Sequence, residues 1–319
     1  GKRWQFLLAF LVSVALILAV GQSTSRAGPL VYTVAPNIVV ISSPMVLDGN
    51  GAVYKLNNPD APGALLTITS SDVTIENLVI DGAYTGTGQS YLGNQQGIRV
   101  TGASRVTLRN IEVRNFRGMG IIAEGADGLK VIASSIHDTG NGIHLQNSQF
   151  SLITTSSIYN IGLTVTGGQN GVGINTSHHN IVSNNSFHDI AQGAVSIAAQ
   201  SDYNTIQGNI IKNYTLKMPP GNNEHAIQVN APIAAYFNTV IGNIIDTGGG
   251  PGIEAAEQSS FTFANNSIRG ATGKAIFVNP NSRQGIVQGN YTFGGTTGIG
   301  IRGNFHSVTG NYVFSPLDP

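Results

Sequence analysis

A short apolar pattern recurs along this chain about every 23 residues, and that period constrains the fold more than any other feature. Gly97-Ile98-Arg99-Val100, Gly120-Ile121-Ile122-Ala123, Gly142-Ile143-His144-Leu145, Gly171-Val172-Gly173-Ile174 and Ala194-Val195-Ser196-Ile197 are five versions of it. The segments beginning at Ala226, Gly252, Ala275 and Gly298 continue the series, with two wider intervals, before Gly171 and before Ala226, where extra chain is inserted. Apolar residues two apart are the mark of a strand with one buried face. A unit this short cannot bury that face alone, so successive units must stack into a solenoid whose coils add short strands to parallel sheets.

A second marker keeps the same register. Asn185, Asn209, Asn243, Asn266, Asn290 and Asn311 each lie past the middle of the interval that follows a strand start, with Ser134 and Ser156 in that place in earlier coils. Stacked Asn side chains can hydrogen-bond along a column and satisfy buried backbone at a turn, so this ladder reads as structural.

These repeats resemble the right-handed parallel β-helix superfamily, which includes pectin-lyase-like proteins, alginate-modifying enzymes, phage tailspikes and periplasmic accessory proteins. The resemblance runs from Ala64 to Phe314. It implies an all-β, single-stranded right-handed parallel β-helix of about ten coils, roughly 48 Å long at about 4.8 Å per coil. On fold alone it implies no single activity.

Lys2 and Arg3 precede Trp4 and then an apolar run from Phe6 to Val20 that is broken only by Ser13, so residues 4–20 are nearly a span. Seventeen helical residues reach about 25 Å against a hydrocarbon core of about 30 Å, while a secretory signal core runs about 7–15 residues. Ser25-Arg26-Ala27 has the form of a cleavage site. Residues 1–27 are therefore either a signal peptide or an uncleaved hydrophobic helix, and the basic residues before the run put the remainder outside the cytoplasm. The expected layout is 1–27 signal or anchor, 28–63 linker and N-terminal cap, and 64–319 β-helix. The absence of Cys removes disulfides and thiolate metal sites. Lys and Arg balance Asp and Glu over the whole chain, but Lys2, Arg3 and Arg26 belong to the N-terminal segment, so the body carries a slight acidic excess. That balance argues against a nucleic-acid partner.

Loops and outward columns are the places for function, because the core repeat is rigid and extra residues must leave it. Excess length falls in the same turn of three coils, so loops Gly82–Gln96, Ile161–Asn170 and Tyr214–His225 are expected at one corner. Beside it runs an outward column, His137, Tyr159, His188, Lys212 and Asp246, continued by Arg114 before it and Arg269 after. Such groups could hydrogen-bond sugar hydroxyls, stack on rings or contact a partner, or simply be solvated. His188, Glu224 and His225 are the candidate catalytic residues, Glu224-His225 as an acid/base pair. Asp138 with Asp189 could form a hydrolytic carboxylate pair, which needs about 5–9.5 Å between the two. Turn chemistry explains the same two residues. No metal site and no cofactor are expected. The resemblance admits Ca²⁺ only for a polysaccharide lyase.

Two functions follow. One is a non-catalytic structural or accessory subunit, tethered through residues 4–20 to the periplasmic or extracellular face of a membrane and contacting protein partners. The other is a secreted polysaccharide-active enzyme, a lyase, epimerase or hydrolase, or a glycan-binding protein.

Overall fold

The computed structural model describes residues 28–166, 169–217 and 225–314. The expected N-terminal helix lies outside the described residues, and among those residues no helix is long and apolar enough to cross a membrane. Each coil turns through three short parallel strands. Sheet 1 holds the recurring apolar pattern, as in Ile143-His144-Leu145, paired in register with Val172-Gly173-Ile174. Sheet 2 contains Leu152–Thr154, paired with Ile181–Ser183, and sheet 3 contains Ser157–Ile161, paired with Ser186–Ile190. Among the described residues eleven strands stack in sheet 2, and these residues make eleven coils, about 50 Å end to end.

Alternation explains the layout. In sheets 2 and 3 the middle residue of each triplet points inward, giving columns such as Val131, Ile153, Val182 and Ile206, all at 0% exposure. Sheet 1 sends two residues inward and one out, so Ile143 and Leu145 are buried on either side of His144. The two bends beside the strand triplets of sheet 3 need a left-handed residue, and Asn, Asp or Gly supplies it in most coils: Asn110, Asn115, Asp138, Asn160, Asp189 and Asn213 have φ between 49° and 60°.

Two columns of buried Asn cross the corners. Asn185 N–H donates to Asn209 Oδ1 at 3.0 Å, Asn209 N–H to Asn243 Oδ1 at 3.0 Å, and the chain of bonds continues through Asn266 and Asn290 to Asn311. A second ladder, Asn180, Asn204 and Asn238, lies at the other end of sheet 2.

Residues 28–63 differ from the linker and cap expected of them. Val31–Val34 pairs with Val53–Leu56, Val39–Ile41 with the strand at Leu66, and Met45–Asp48 with Val73–Glu76. They form the first coil and begin the second. Their Val, Tyr and Leu residues alternate as the later coils do, but the prolines and the Asp48-Gly49-Asn50-Gly51 turn break the short apolar pattern that marks the repeat.

Candidate functional site

The corner between sheets 3 and 1 gathers the loops. Gln89–Ser90 of the first long loop pairs in parallel with Val165–Thr166 of the second. The Lys217 ammonium, from the third, donates to the carbonyls of Gly162 at 3.0 Å and Val165 at 3.1 Å, and also to Leu163. Burial lowers the Lys217 pKa. A fourth loop, residues 57–62, joins them: Gln95 Nε2 donates to Pro59 O at 2.8 Å, and Arg117 forms an ion pair with Asp60. This loop is absent from the length argument because the coil carrying it lies ahead of the recognised repeat.

The outward column on sheet 3 is continuous. Arg114, His137, Tyr159, His188, Lys212, Asp246 and Arg269 are register partners from coil to coil. The rings stack along the rod, His137 on Tyr159 at 4.6 Å and 7°, and Tyr159 on His188 at 4.8 Å and 11°. Tyr159 thus has a ring on each face, and His137 and His188 each have one face against it. The column offers N–H, N and O–H groups.

The two imidazoles are not equivalent. His137 is bonded at both nitrogens, Nδ1 to Asp138 at 2.6 Å and Nε2 to Glu112 at 3.2 Å, and is 12% exposed. Arg114 joins Glu112 to Asp81, making this end of the column an ion-paired network. His188 uses only Nδ1, which meets Asp189 at 2.7 Å, and is 38% exposed. The His188 hydrogen bond holds the Asp189 carboxyl below its usual range. Asp189 therefore stays ionised and engages Nδ1 of His188, which leaves Nε2 as the other ring nitrogen. Among the described residues nothing bonds that Nε2. Lys212, one coil further, is exposed and forms no ion pair there.

Asp138 and Asp189 have separate hydrogen-bond partners. Each is held by its own His and by an Asn of the next coil, Asn160 at 3.3 Å and Asn213 at 3.1 Å. Two coils separate them by about 9.6 Å. Glu224 lies outside the described residues, so the Glu224-His225 pair does too. His225 meets Glu254 of the next coil, Nδ1 to Oε2 at 3.2 Å, where Gln228 Nε2 also donates at 3.0 Å. His225 and Glu254 are 2% and 5% exposed and belong to the sheet 1 side, apart from His188.

A shallow groove of about 700 Å³ runs along the other margin of sheet 3. Its lining includes Glu112, Ser135 and Ser157 of sheet 3 and Asn77 and Asn110 of the adjoining bends. No cluster of three or more His, Asp or Glu side chains among the described residues is arranged to hold a metal ion.

Eleven parallel coils, two Asn ladders and loops gathered at one corner define a parallel β-helix. Residues 62–231 and 164–313 match the profile of the right handed beta helix region, and the chain belongs to that family. Solved structures share the fold at low identity. The mannuronan C-5 epimerase AlgE4 A-module of Azotobacter vinelandii is 14% identical, with a TM-score of 0.67 over 96% of this chain and 92% of that one. An alginate lyase of Paenibacillus sp. is 14% identical, with a TM-score of 0.57 over 89% and 98%. The Dettilon tailspike protein is 14% identical, with a TM-score of 0.62 over 94% of this chain and 64% of that one. No curated protein matches by sequence.

Proposed function

We propose that this is an extracytoplasmic polysaccharide-active β-helix, a lyase or epimerase of uronate-containing chains working at His188. The observation that carries the reading is the His188–Asp189 pair, which leaves Nε2 as the other ring nitrogen in the column between Tyr159 and Lys212. Two of the named structural relatives are an alginate lyase and a mannuronan epimerase, which favours this reading over an accessory subunit. The basic-then-apolar N-terminus and the lack of Cys support an extracytoplasmic location.

The chemistry follows from the column. His188 Nε2 removes the proton from the carbon beside the uronate carboxylate. Lys212 neutralises the carboxylate as negative charge spreads onto it. In elimination the C–H electron pair forms the C=C bond, the glycosidic C–O bond breaks, and the Tyr159 hydroxyl protonates the leaving oxygen. In epimerisation no C–O bond breaks, and the same carbon regains a proton on its opposite face from solvent water.

The test is turnover of pectate, alginate and neutral glycans, followed by the ultraviolet absorbance of unsaturated ends and by proton NMR of the uronate units. The wild type is expected to act on a uronate polymer, and His188→Ala to lose about 10²–10⁴-fold. Absence of turnover and binding on every polymer, or full activity in His188→Ala, overturns the reading. Absence of turnover together with recovery of the full-length chain in a membrane complex would instead favour the tethered accessory subunit.

A further inference from the structure

The corner between sheets 1 and 2 carries a second column of rings. Arg105, Gly128, Phe150, His179, Tyr203 and Phe237 hold the same turn position in successive coils, as the bonds Gly128 N–H to Gln149 O, Phe150 N–H to His178 O and His179 N–H to Asp202 O fix. Their φ values are 54°, 73°, 53°, 56°, 55° and 58°. A left-handed backbone costs a bulky residue roughly 1–2 kcal/mol, yet four rings adopt it on the surface, Phe150 at 55% exposure and Phe237 at 49%. Stacking offsets part of that cost, with centroids 5.1, 4.8 and 5.0 Å apart from Phe150 to Phe237.

One rung of this ladder is empty of side chain. His179 covers one face of Phe150, and the other face looks over Gly128. A Cβ built on Gly128 would meet nothing nearer than Arg105 N at 3.9 Å. The Arg105 side chain turns the other way, toward the previous coil, where it holds Asp72 with bonds of 2.6 and 2.8 Å. Two coil spacings give about 9.6 Å between the Arg105 and Phe150 rungs, enough for one ring at van der Waals distance from Phe150. The adjacent column presents Asp127 and Gln149 at the rim, both exposed and 3.5 Å apart. An apolar floor with an acceptor and an amide beside it matches a sugar ring, which has one apolar C–H face and polar edges.

We propose that a pyranose ring of the polysaccharide fills this rung, stacked on Phe150 with its hydroxyls toward Asp127 and Gln149. The site rests on the polysaccharide reading above but not on the chemistry at His188. It would hold a chain at a second place on the rod, remote in sequence from the residues that act on it.

The test is NMR titration of the protein, with Phe side chains isotopically labelled, against alginate, pectate and neutral glucan oligosaccharides. Phe150 ring signals are expected to shift with at least one of them. Phe150→Ala removes the platform, and Gly128→Phe fills the rung with a residue that the next coil already holds at a similar φ. Both are expected to weaken saccharide binding there by about tenfold or more, with turnover of short substrates unchanged. His188→Ala is expected to lower turnover about 10²–10⁴-fold and leave the Phe150 shifts intact, so failure of the enzymatic reading is distinguishable from failure of this one. Phe150 signals that no saccharide moves, or binding that Gly128→Phe leaves unchanged, overturn the proposal. A shift produced only by Arg- or Tyr-bearing peptides also overturns it and marks a protein contact.

Discussion

Replacing Asn209 by Ala tests the ladder at a place where the outcome can be worked from the bonds. The side chain is 0% exposed and makes four of them. Its Oδ1 accepts from Asn185 N–H at 3.0 Å and Asn185 Nδ2 at 3.1 Å, and its Nδ2 donates to Val182 O at 2.9 Å and Asn243 Oδ1 at 3.0 Å. Truncation leaves the Asn185 backbone donor wholly without a partner in a dry interior, a penalty of about 1–3 kcal/mol. The other three groups keep some bonding, since Asn185 Nδ2 still reaches Ile153 O and Asn243 Oδ1 still accepts from the Asn209 backbone. At about 0.5–1.5 kcal/mol for each weakened bond, the total falls near 3–6 kcal/mol, a large part of a typical domain's stability. Asn209→Ser is expected to cost less, because Ser134 and Ser156 hold the same rung in earlier coils and pass the bond along it. Asn311→Ala, at the end of the ladder and partly exposed, should cost about 1–2 kcal/mol, since water can replace what is lost. Urea unfolding followed by far-ultraviolet circular dichroism, comparing midpoints at fixed slope, reads all three. A loss below about 1 kcal/mol for Asn209→Ala, or equal losses at 209 and 311, would refute the reasoning.

Three further outcomes follow from the packing. Gly142→Ala drives a Cβ into the Gly171 carbonyl oxygen of the next coil, far inside van der Waals contact, so a cost of about 1–3 kcal/mol is expected in the same urea assay. Lys217→Met removes the ammonium that ties Gly162 and Val165 to the third loop, and limited proteolysis should then cut within residues 161–170 sooner while the coils stay intact. Burial holds the His144 pKa below its ordinary 6.5, so the unfolded chain takes up a proton there before the folded one does. Stability should therefore fall as the pH drops through about 6.5, and the slope should be smaller in His144→Gln, measured by thermal unfolding from about pH 8 to pH 5.

Some of the candidate site is visible in the chain and some is not. The sheet 3 column follows from counting, because His137, Tyr159, His188 and Lys212 occupy one place in a repeat whose strands must stack in register. The second ladder was available by the same count, at a fixed offset ahead of Asn185, Asn209 and Asn243, and the asparagines there look like ordinary turn residues until their partners are known. That His137 is locked while His188 keeps an open nitrogen depends on Glu112, a coil away, and on the stacking angle of three rings. The meeting of His225 with Glu254 depends on where a long loop returns to the rod.

The amino-acid sequence by itself determined the parallel solenoid, the direction each side chain faces and the corner from which the long loops leave. Those properties follow from a period-two alternation and from the recurrence of one short apolar pattern, both local and present in every coil. The tertiary structure alone decided that residues 31–56 join the stack, that the loops bind one another through strand pairing and Lys217, and that the outward rings stack on one another from coil to coil. Each of these is set by contacts between coils at distances of a few ångströms, with partners that no spacing rule connects.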